Sequence, residues 1–290
     1  MVATPIGNLA DLTLRAIHLL GLVDAVACED TRVTGRLMNH LGLSKPLIAL
    51  HEHNEQSASA TVIQRLAAGE RVAYASDAGT PAVSDPGAAL VAAVAAAGHV
   101  SVPVPGVSSV VTALSVAGDA AATGFAFQGF LPPKGQERVA ALDALLAQPG
   151  SQVLFEAPHR IEALLSQLAE RAPERRLTIC RELTKQFEQV HTLAVSDAPA
   201  WLAADSQHAR GEFVLVLHAA PAAAAAEGLG PETERLLSLL LGELPLKRAV
   251  ALAAEASGAP RNALYKRALA LRDQSDADAA DPEADADSGP

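Results

Sequence analysis

The sequence predicts an α/β protein of two successive domains, a parallel sheet and then a mixed sheet, followed by a small helical module. Three observations carry this. In the first half, short and wholly apolar runs alternate with longer helical patterns, as in a parallel sheet covered on both faces. In the second half, apolar runs follow one another without a helix between residues 181 and 189, which breaks the strand–helix alternation. An Ala/Pro/Gly stretch at 219–230 then separates three short helical patterns from the rest. The chain has 290 residues, enough for two domains at ~100–200 residues each.

Taken in order, the first domain (1–128) has strands at 2–3, 25–28, 47–50, 72–75 and 100–104. Helices fall near 11–20, 32–41, 55–68, 86–97 and 107–117. Ser84-Asp85-Pro86-Gly87 sets an acidic N-cap before a proline at the first helical position. The first strand is clipped: either it is unusually short or the true start lies upstream. Gly129 to Gly135, with Pro132 and Pro133, reads as a linker opening the second domain (129–218). That domain has helices at 136–147 and 159–171 and strands at 152–155, 177–181, 189–192 and 213–217. The module at 231–272 has Gly258 at a turn and is compatible with a helix-turn-helix, the alternative being a small capping bundle. The tail at 273–290 is acidic, poor in hydrophobes and expected to be disordered.

The net charge of −11 conceals an uneven distribution. Residues 273–290 hold seven acids and no base, so the remainder carries 26 acids against 22 bases. Residues 243–272 carry six bases against two acids, a local +4. A mildly acidic body, a basic module and an acidic tail result. The longest apolar run, 88–97, is about half the ~20 residues a membrane span needs. No secretory signal is visible, and Cys28 and Cys180 make neither a disulfide framework nor a four-ligand metal site. A reducing cytoplasm is the expected compartment.

Ligands in open parallel sheets bind beyond the carboxyl ends of the strands. Four such loops stand out: Thr4-Pro5-Ile6-Gly7-Asn8-Leu9, Cys28-Glu29-Asp30-Thr31-Arg32, Ser76-Asp77-Ala78-Gly79-Thr80-Pro81, and Pro105-Gly106-Val107-Ser108-Ser109. Neither GxGxxG nor GxxxxGK[ST] occurs, so no dinucleotide or nucleoside-triphosphate phosphate site is supported. Glu29, Asp30 and Arg32 read equally well as a helix cap with its salt bridge or as a polar cluster at a substrate mouth. The two Gly/Pro-rich loops, offering Asp77 and Ser108, favour backbone held close to a ligand. His51-Glu52-His53 lacks a third ligand, and no metal site is expected.

These loops, with Glu182-Leu183-Thr184-Lys185 and Gly211-Glu212-Phe213-Val214, occur in the order of a known group. Over roughly residues 1–218 the chain resembles the bacterial 16S rRNA (cytidine-2′-O)-methyltransferases of the tetrapyrrole methylase superfamily. The module at 231–272 fits that family more loosely. The resemblance implies two α/β domains of the tetrapyrrole methylase type, S-adenosylmethionine held between them, and a homodimer. It also implies methylation of a cytidine ribose in the decoding region of the small subunit. Carried over by position, cofactor contacts fall on Pro5, Ile6, Asp77, Thr80, Pro81, Ser108, Ser109, Leu131, Gly211, Glu212 and Phe213.

Methyl transfer from a sulfonium is an in-line displacement dominated by alignment, and a ribose hydroxyl gains from a nearby proton acceptor. Glu29, Asp30 and Glu182 are the candidate acceptors, and Lys185 can stabilise a developing alkoxide. Candidate RNA contacts are Arg32 and Lys134 with Lys247, Arg248, Arg261, Lys266 and Arg267 of the basic module; Arg138, Arg160 and Arg181 are further candidates for the cleft. Few aromatics argue against a single-strand stacking platform, so recognition rests on RNA shape and a splayed nucleotide. The alternatives are a precorrin or diphthine methyltransferase on the same scaffold, or a helix-turn-helix DNA-binding regulator.

Overall fold

A computed structural model of the chain describes residues 1–51, 54–84, 86–221 and 229–279. It divides into two compact units, 1–219 and 220–290. The larger unit holds two sheets. The first comprises β1 (Ala25–Cys28), β2 (Leu47–Ala49) and β3 (Val72–Ala75) in the order β2-β1-β3, parallel throughout. All four residues of β1 are buried, and their small side chains let helices pack on both faces.

Val2 extends this sheet through single parallel bridges to Ala75 and to Val104. The sequence places strands at 2–3 and 100–104, but only these isolated bridges form. Val104 lies between Pro103 and Pro105, and Pro5 follows shortly after Val2; proline offers no N–H to continue a ladder.

Among the described residues, the α-helices of this half are α1 (Leu14–Leu22), α2 (Thr31–His40), α3 (Glu55–Ala67), α4 (Ala88–Ala96) and α5 (Ser109–Ala117). Thr13 caps α1 by accepting the Ala16 N–H at 3.1 Å, and Asp30 caps α2 by accepting the Arg32 N–H at 2.8 Å. The expected cap at Asp85-Pro86 does not start α4, which begins at Ala88 behind Gly87. The Tyr74 hydroxyl donates to the Pro86 carbonyl at 2.9 Å and holds that residue outside the helix. Asp85 itself, like Glu52 and His53, lies outside the described residues.

The second sheet runs β4-β5-β8-β6-β7, from β4 (Phe125–Phe130), β5 (Ser151–Glu156), β6 (Arg176–Arg181), β7 (Gln189–Ala194) and β8 (Phe213–Leu217). Only β4 and β5 pair in parallel, so the sheet is mixed. The linker read at 129–135 begins as the end of β4, whose register shifts between Phe127 and Gly129. Helices α6 (Gly135–Ala147), α7 (Ile161–Arg171) and α8 (Ala198–Ala204) cover one face. Leu142, Leu145, Leu164, Leu165 and Leu168 meet Leu154 and Leu215 there. Each such burial contributes about 1.5–3 kcal/mol.

Helix α5 covers the opposite face, packing Val110, Ala113 and Ala117 against Val153, Val214 and Val216. It enters from the first sheet and rests on the second, so its N-terminus stands where the two sheets meet.

The smaller unit contains α9 (Pro231–Glu243), α10 (Leu246–Ser257) and α11 (Arg261–Ala279). Leu237, Val250, Ala253, Leu264 and Ala268 form its core, and Gly258 turns α10 into α11 with φ 71°. Helix α11 runs to Ala279 rather than ending near Arg272, so the stretch expected to be disordered from 273 starts as helix. Residues 280–290 lie outside the described residues.

Candidate active site

The loops at the carboxyl edge of the first sheet are hydrogen-bonded into one platform. Thr4 and Gly79 exchange both backbone bonds at 3.0 Å, and the Thr4 hydroxyl donates to the Ser76 carbonyl at 3.0 Å. The Ser76 hydroxyl donates to the Gly79 carbonyl at 2.7 Å, and Thr80 donates to the Val107 carbonyl at 2.9 Å. The Pro5–Ile6 turn, the Asp77–Thr80 loop and the entry to α5 are thereby fixed relative to one another. Against this platform opens a cavity of about 430 Å³. Ile6, Gly79, Thr80, Ser108 and Ser109 line one side, and Phe130, Phe155, Leu183, Glu212 and Phe213 line the other.

Three of the six phenylalanines reach this cavity. Phe130 and Phe155 meet edge-on with ring centroids 5.5 Å apart, and the Arg160 guanidinium lies 5.7 Å from the Phe130 centroid. Beneath them the fully buried Glu156 carboxylate pairs with Arg160 at 2.6 Å and Arg138 at 3.1 Å. Charges this deep need such pairing to be tolerated, and the pair fixes the cavity wall. Phe130, Phe155 and Glu156 are not among the site residues expected from the sequence, which places Phe130 in the 129–135 linker and Phe155 at the end of a strand. The rarity of aromatics in this chain is the signal that marks them.

A second cluster closes the far end. Lys185 Nζ lies 3.0 Å from both Glu182 Oε1 and Glu212 Oε2, and Glu182 Oε1 also accepts the Glu212 N–H at 2.9 Å. Burial lowers the Lys185 proton affinity, but the two carboxylates outweigh it and hold the ammonium above its ordinary range. Burial likewise raises Glu182, and the Glu212 N–H and Lys185 together bring it below the ordinary carboxylate range. Glu182 and Thr184 sit at φ 51° and 66°, a left-handed geometry costly for such residues. Gly211, at φ 90°, leaves space that a Cβ would take 2.5 Å from Glu182 Cγ. Gly7 admits Lys185 in the same way, since a Cβ there would meet its Cγ at 2.5 Å.

The third cluster is Asp30, Arg32 and Asp77. Arg32 Nε and Nη2 donate to the Asp30 carboxylate at 2.6–3.1 Å, and this guanidinium, with the Arg32 N–H, holds the Asp30 carboxyl down at about 2. Asp77 Oδ1 accepts the Asp30 N–H at 3.0 Å, while burial pushes the Asp77 carboxyl up. Asp77 and Pro5 line a neighbouring cavity of about 330 Å³ with Gly7, Val33, Arg36 and Leu37.

Of the residues expected at the cofactor, Ile6, Thr80, Ser108, Ser109, Glu212 and Phe213 line the larger cavity, and Pro5 and Asp77 line the smaller one. Leu131 packs into the core under α6 and α7, and Gly211 shapes the Glu182 loop. Pro81 is buried beside the platform, and Glu29 is half-buried at the end of β1. Arg138 and Arg181 do not face an RNA cleft: the first is bound to Glu156, and the second donates to the Arg210 carbonyl at 2.6 Å and to Gln189 Oε1 at 3.0 Å. Lys134, Lys247, Arg248, Arg261 and Lys266 are exposed, whereas Arg267 pairs with Glu234 at 2.8 Å and joins α11 to α9. Among the described residues, no cluster of His, Cys, Asp and Glu is placed to hold a metal. No helix among them is long and apolar enough to cross a membrane.

Residues 1–199 match the family model of the tetrapyrrole (corrin/porphyrin) methylases, and residues 227–272 match that of the RsmI C-terminal HTH domain. The chain is 46% identical over 270 residues to the ribosomal RNA small subunit methyltransferase I of Pseudomonas aeruginosa, covering 93% of this chain and 95% of that one. The protein of the same name from Escherichia coli O157:H7 is 44% identical, with 93% of each covered. Among solved structures, the uroporphyrin-III C-methyltransferase of Thermus thermophilus complexed with S-adenosylhomocysteine shares the fold at TM-score 0.51 and 19% identity. It covers 75% of this chain and 95% of that one.

The larger cavity suits an adenosyl group with an amino-acid tail. Its apolar walls can flank a purine. The first turn of α5 has no side-chain cap from Ser108, so its N–H groups remain available for a carboxylate.

Proposed function

Because the chain belongs to the tetrapyrrole methylase family and, over 93% of its length, to the branch named ribosomal RNA small subunit methyltransferase I, we propose that it methylates the 2′-oxygen of a cytidine ribose in the decoding region of 16S rRNA. It is an S-adenosylmethionine-dependent methyltransferase. The observation that carries the RNA assignment is the reach of the match. The named relatives align across the basic helical unit as well as the α/β unit, whereas the porphyrin methylase covers 75% of the chain.

Bound S-adenosylmethionine supplies a methyl group already activated by its sulfonium charge. Ile6, Thr80, Ser108 and Phe213 would hold it against the hydrogen-bonded platform, where alignment with the incoming oxygen governs the rate. Lys185, kept protonated by Glu182 and Glu212, cannot act as a base and instead places a positive charge at the wall shared with Gly7. The exposed Lys247, Arg248, Arg261 and Lys266 supply phosphate contacts. The working form is a homodimer in the cytoplasm acting on the assembled small subunit.

Incubating the protein with radiolabelled S-adenosylmethionine and unmethylated small subunits, then mapping the label, tests this reading. Label on one cytidine ribose is expected. Label on a tetrapyrrole or a protein side chain alone refutes it.

A further inference from the structure

Resting on that reading, we infer that the 330 Å³ cavity beside the cofactor pocket is the seat of the target nucleotide, with Asp77 taking the proton of its 2′-hydroxyl and Arg36 meeting a phosphate. The two cavities are neighbours along two segments of the chain at once. Pro5 and Asp77 line one, while the next residues, Ile6 and Ala78, line the other. A sugar oxygen placed at this shared wall lies between a methyl donor and a carboxylate. The volume suits a single small ligand, at the low end of the roughly 300–1,000 Å³ of such sites. A nucleotide splayed from the RNA presents such a ligand.

Two of the acids expected as acceptors are committed elsewhere. Asp30 caps α2 and is gripped by Arg32, and Glu182 is tied to Lys185 and the Glu212 N–H. Asp77 accepts one backbone N–H, and among the described residues no cation pairs with it. The charged and titratable groups around it are Asp30 and Arg32, which are neutralised by each other, the Cys28 thiol at the end of β1, and Arg36 across the cavity. Burial raises the proton affinity of Asp77, which improves it as an acceptor. Arg36 is exposed on α2 with its side chain at the cavity and its Nε donating to the Arg32 carbonyl at 3.3 Å.

The step balances as a displacement. The ribose oxygen bonds to the methyl carbon while the carbon–sulfur bond breaks, and that electron pair stays on sulfur as a neutral thioether. The hydroxyl proton passes to Asp77 and then to water.

The test compares Asp77→Asn and Arg36→Gln with the unaltered protein, using unmethylated small subunits. Asp77→Asn is expected to keep the calorimetric heat of S-adenosylhomocysteine binding and its affinity for the subunit. Its single-turnover rate should fall ~100-fold or more, and the rise of rate with pH expected of the unaltered protein should vanish. Arg36→Gln should raise KM for the subunit severalfold with kcat and the pH profile unchanged. A rate for Asp77→Asn within threefold of the unaltered protein overturns the inference. So does loss of S-adenosylhomocysteine binding, which returns Asp77 to the cofactor side, or an unchanged KM in Arg36→Gln. If the unaltered protein leaves the subunit unlabelled, the proposed function falls and takes the inference with it; a labelled subunit with a fully active Asp77→Asn defeats the inference alone.

Discussion

Asp30 and Asp77 are joined by one hydrogen bond and are pushed in opposite directions by their surroundings. Arg32 favours the charged form of Asp30, and burial disfavours the charged form of Asp77. For Asp30 the folded value is depressed to about 2 from 3.8. Its contribution to stability is therefore present above pH ~4 and is lost as pH falls toward 2. Arg32→Gln should flatten the decline of melting temperature across that window; the pair is exposed, so the effect is small and screened by salt. Glu156 is a different matter, because its side chain is fully buried between two guanidiniums. Glu156→Gln leaves the buried Arg138 and the half-buried Arg160 without a full counter-charge and should cost about 3–5 kcal/mol in urea unfolding. Its adenosyl-binding heat should fall as well, since the carboxylate anchors the wall that carries Phe155 and Arg160.

At the scale of elements, α5 and β8 form the joint between the two halves of the larger unit. The Thr178 hydroxyl lies 2.8 Å from His218 Nε2, 2.8 Å from the Thr192 hydroxyl and 3.2 Å from the Ala117 carbonyl, tying β6, β7, the end of β8 and α5 together. Burial lowers the proton affinity of His218. The unfolded chain then binds the proton more readily, so stability falls as pH drops through the ordinary histidine value of ~6.5. His218→Gln should reduce the loss of melting temperature between pH 7 and 5, measured by thermal unfolding across that range.

Which elements are legible in the sequence follows from what builds them. Strands β1, β3 and β8 are uniform apolar runs between turns, and all three lie within a residue of where periodicity puts them. Strand β4 is hidden because it runs into Gly129 and a pair of prolines, and because Phe125 and Phe130 at its ends stay half exposed. Helix α8 is too short, and carries a proline in its first turn, to leave a periodic pattern. The site divides in the same way. Loops at strand ends announce Ile6, Thr80 and Ser108 through their turn chemistry. Arg36 and Glu156 sit inside regular elements and acquire meaning only from what packs beside them.

Over the whole molecule, net charge is a poor guide to the partner. The acidic total sits beside a smaller unit that exposes Lys247, Arg248, Arg261 and Lys266. Each phosphate a cation neutralises releases counterions, so log affinity falls with log salt by about 0.7–0.9 per contact. Replacing those four residues with glutamine in the full chain should therefore cut the salt slope of subunit binding by about 3, as read from titrations at several salt concentrations. Arg267 provides the internal contrast. It is basic and on the same helix, but it is spent on Glu234, so Arg267→Gln should loosen the packing of α11 on α9 and leave the slope unchanged. If the four exposed cations leave the slope untouched, the phosphate contacts lie on the α/β unit instead. The heat of adenosyl binding should be the same in both variants, because the cavity proposed for it is built wholly from residues of the larger unit.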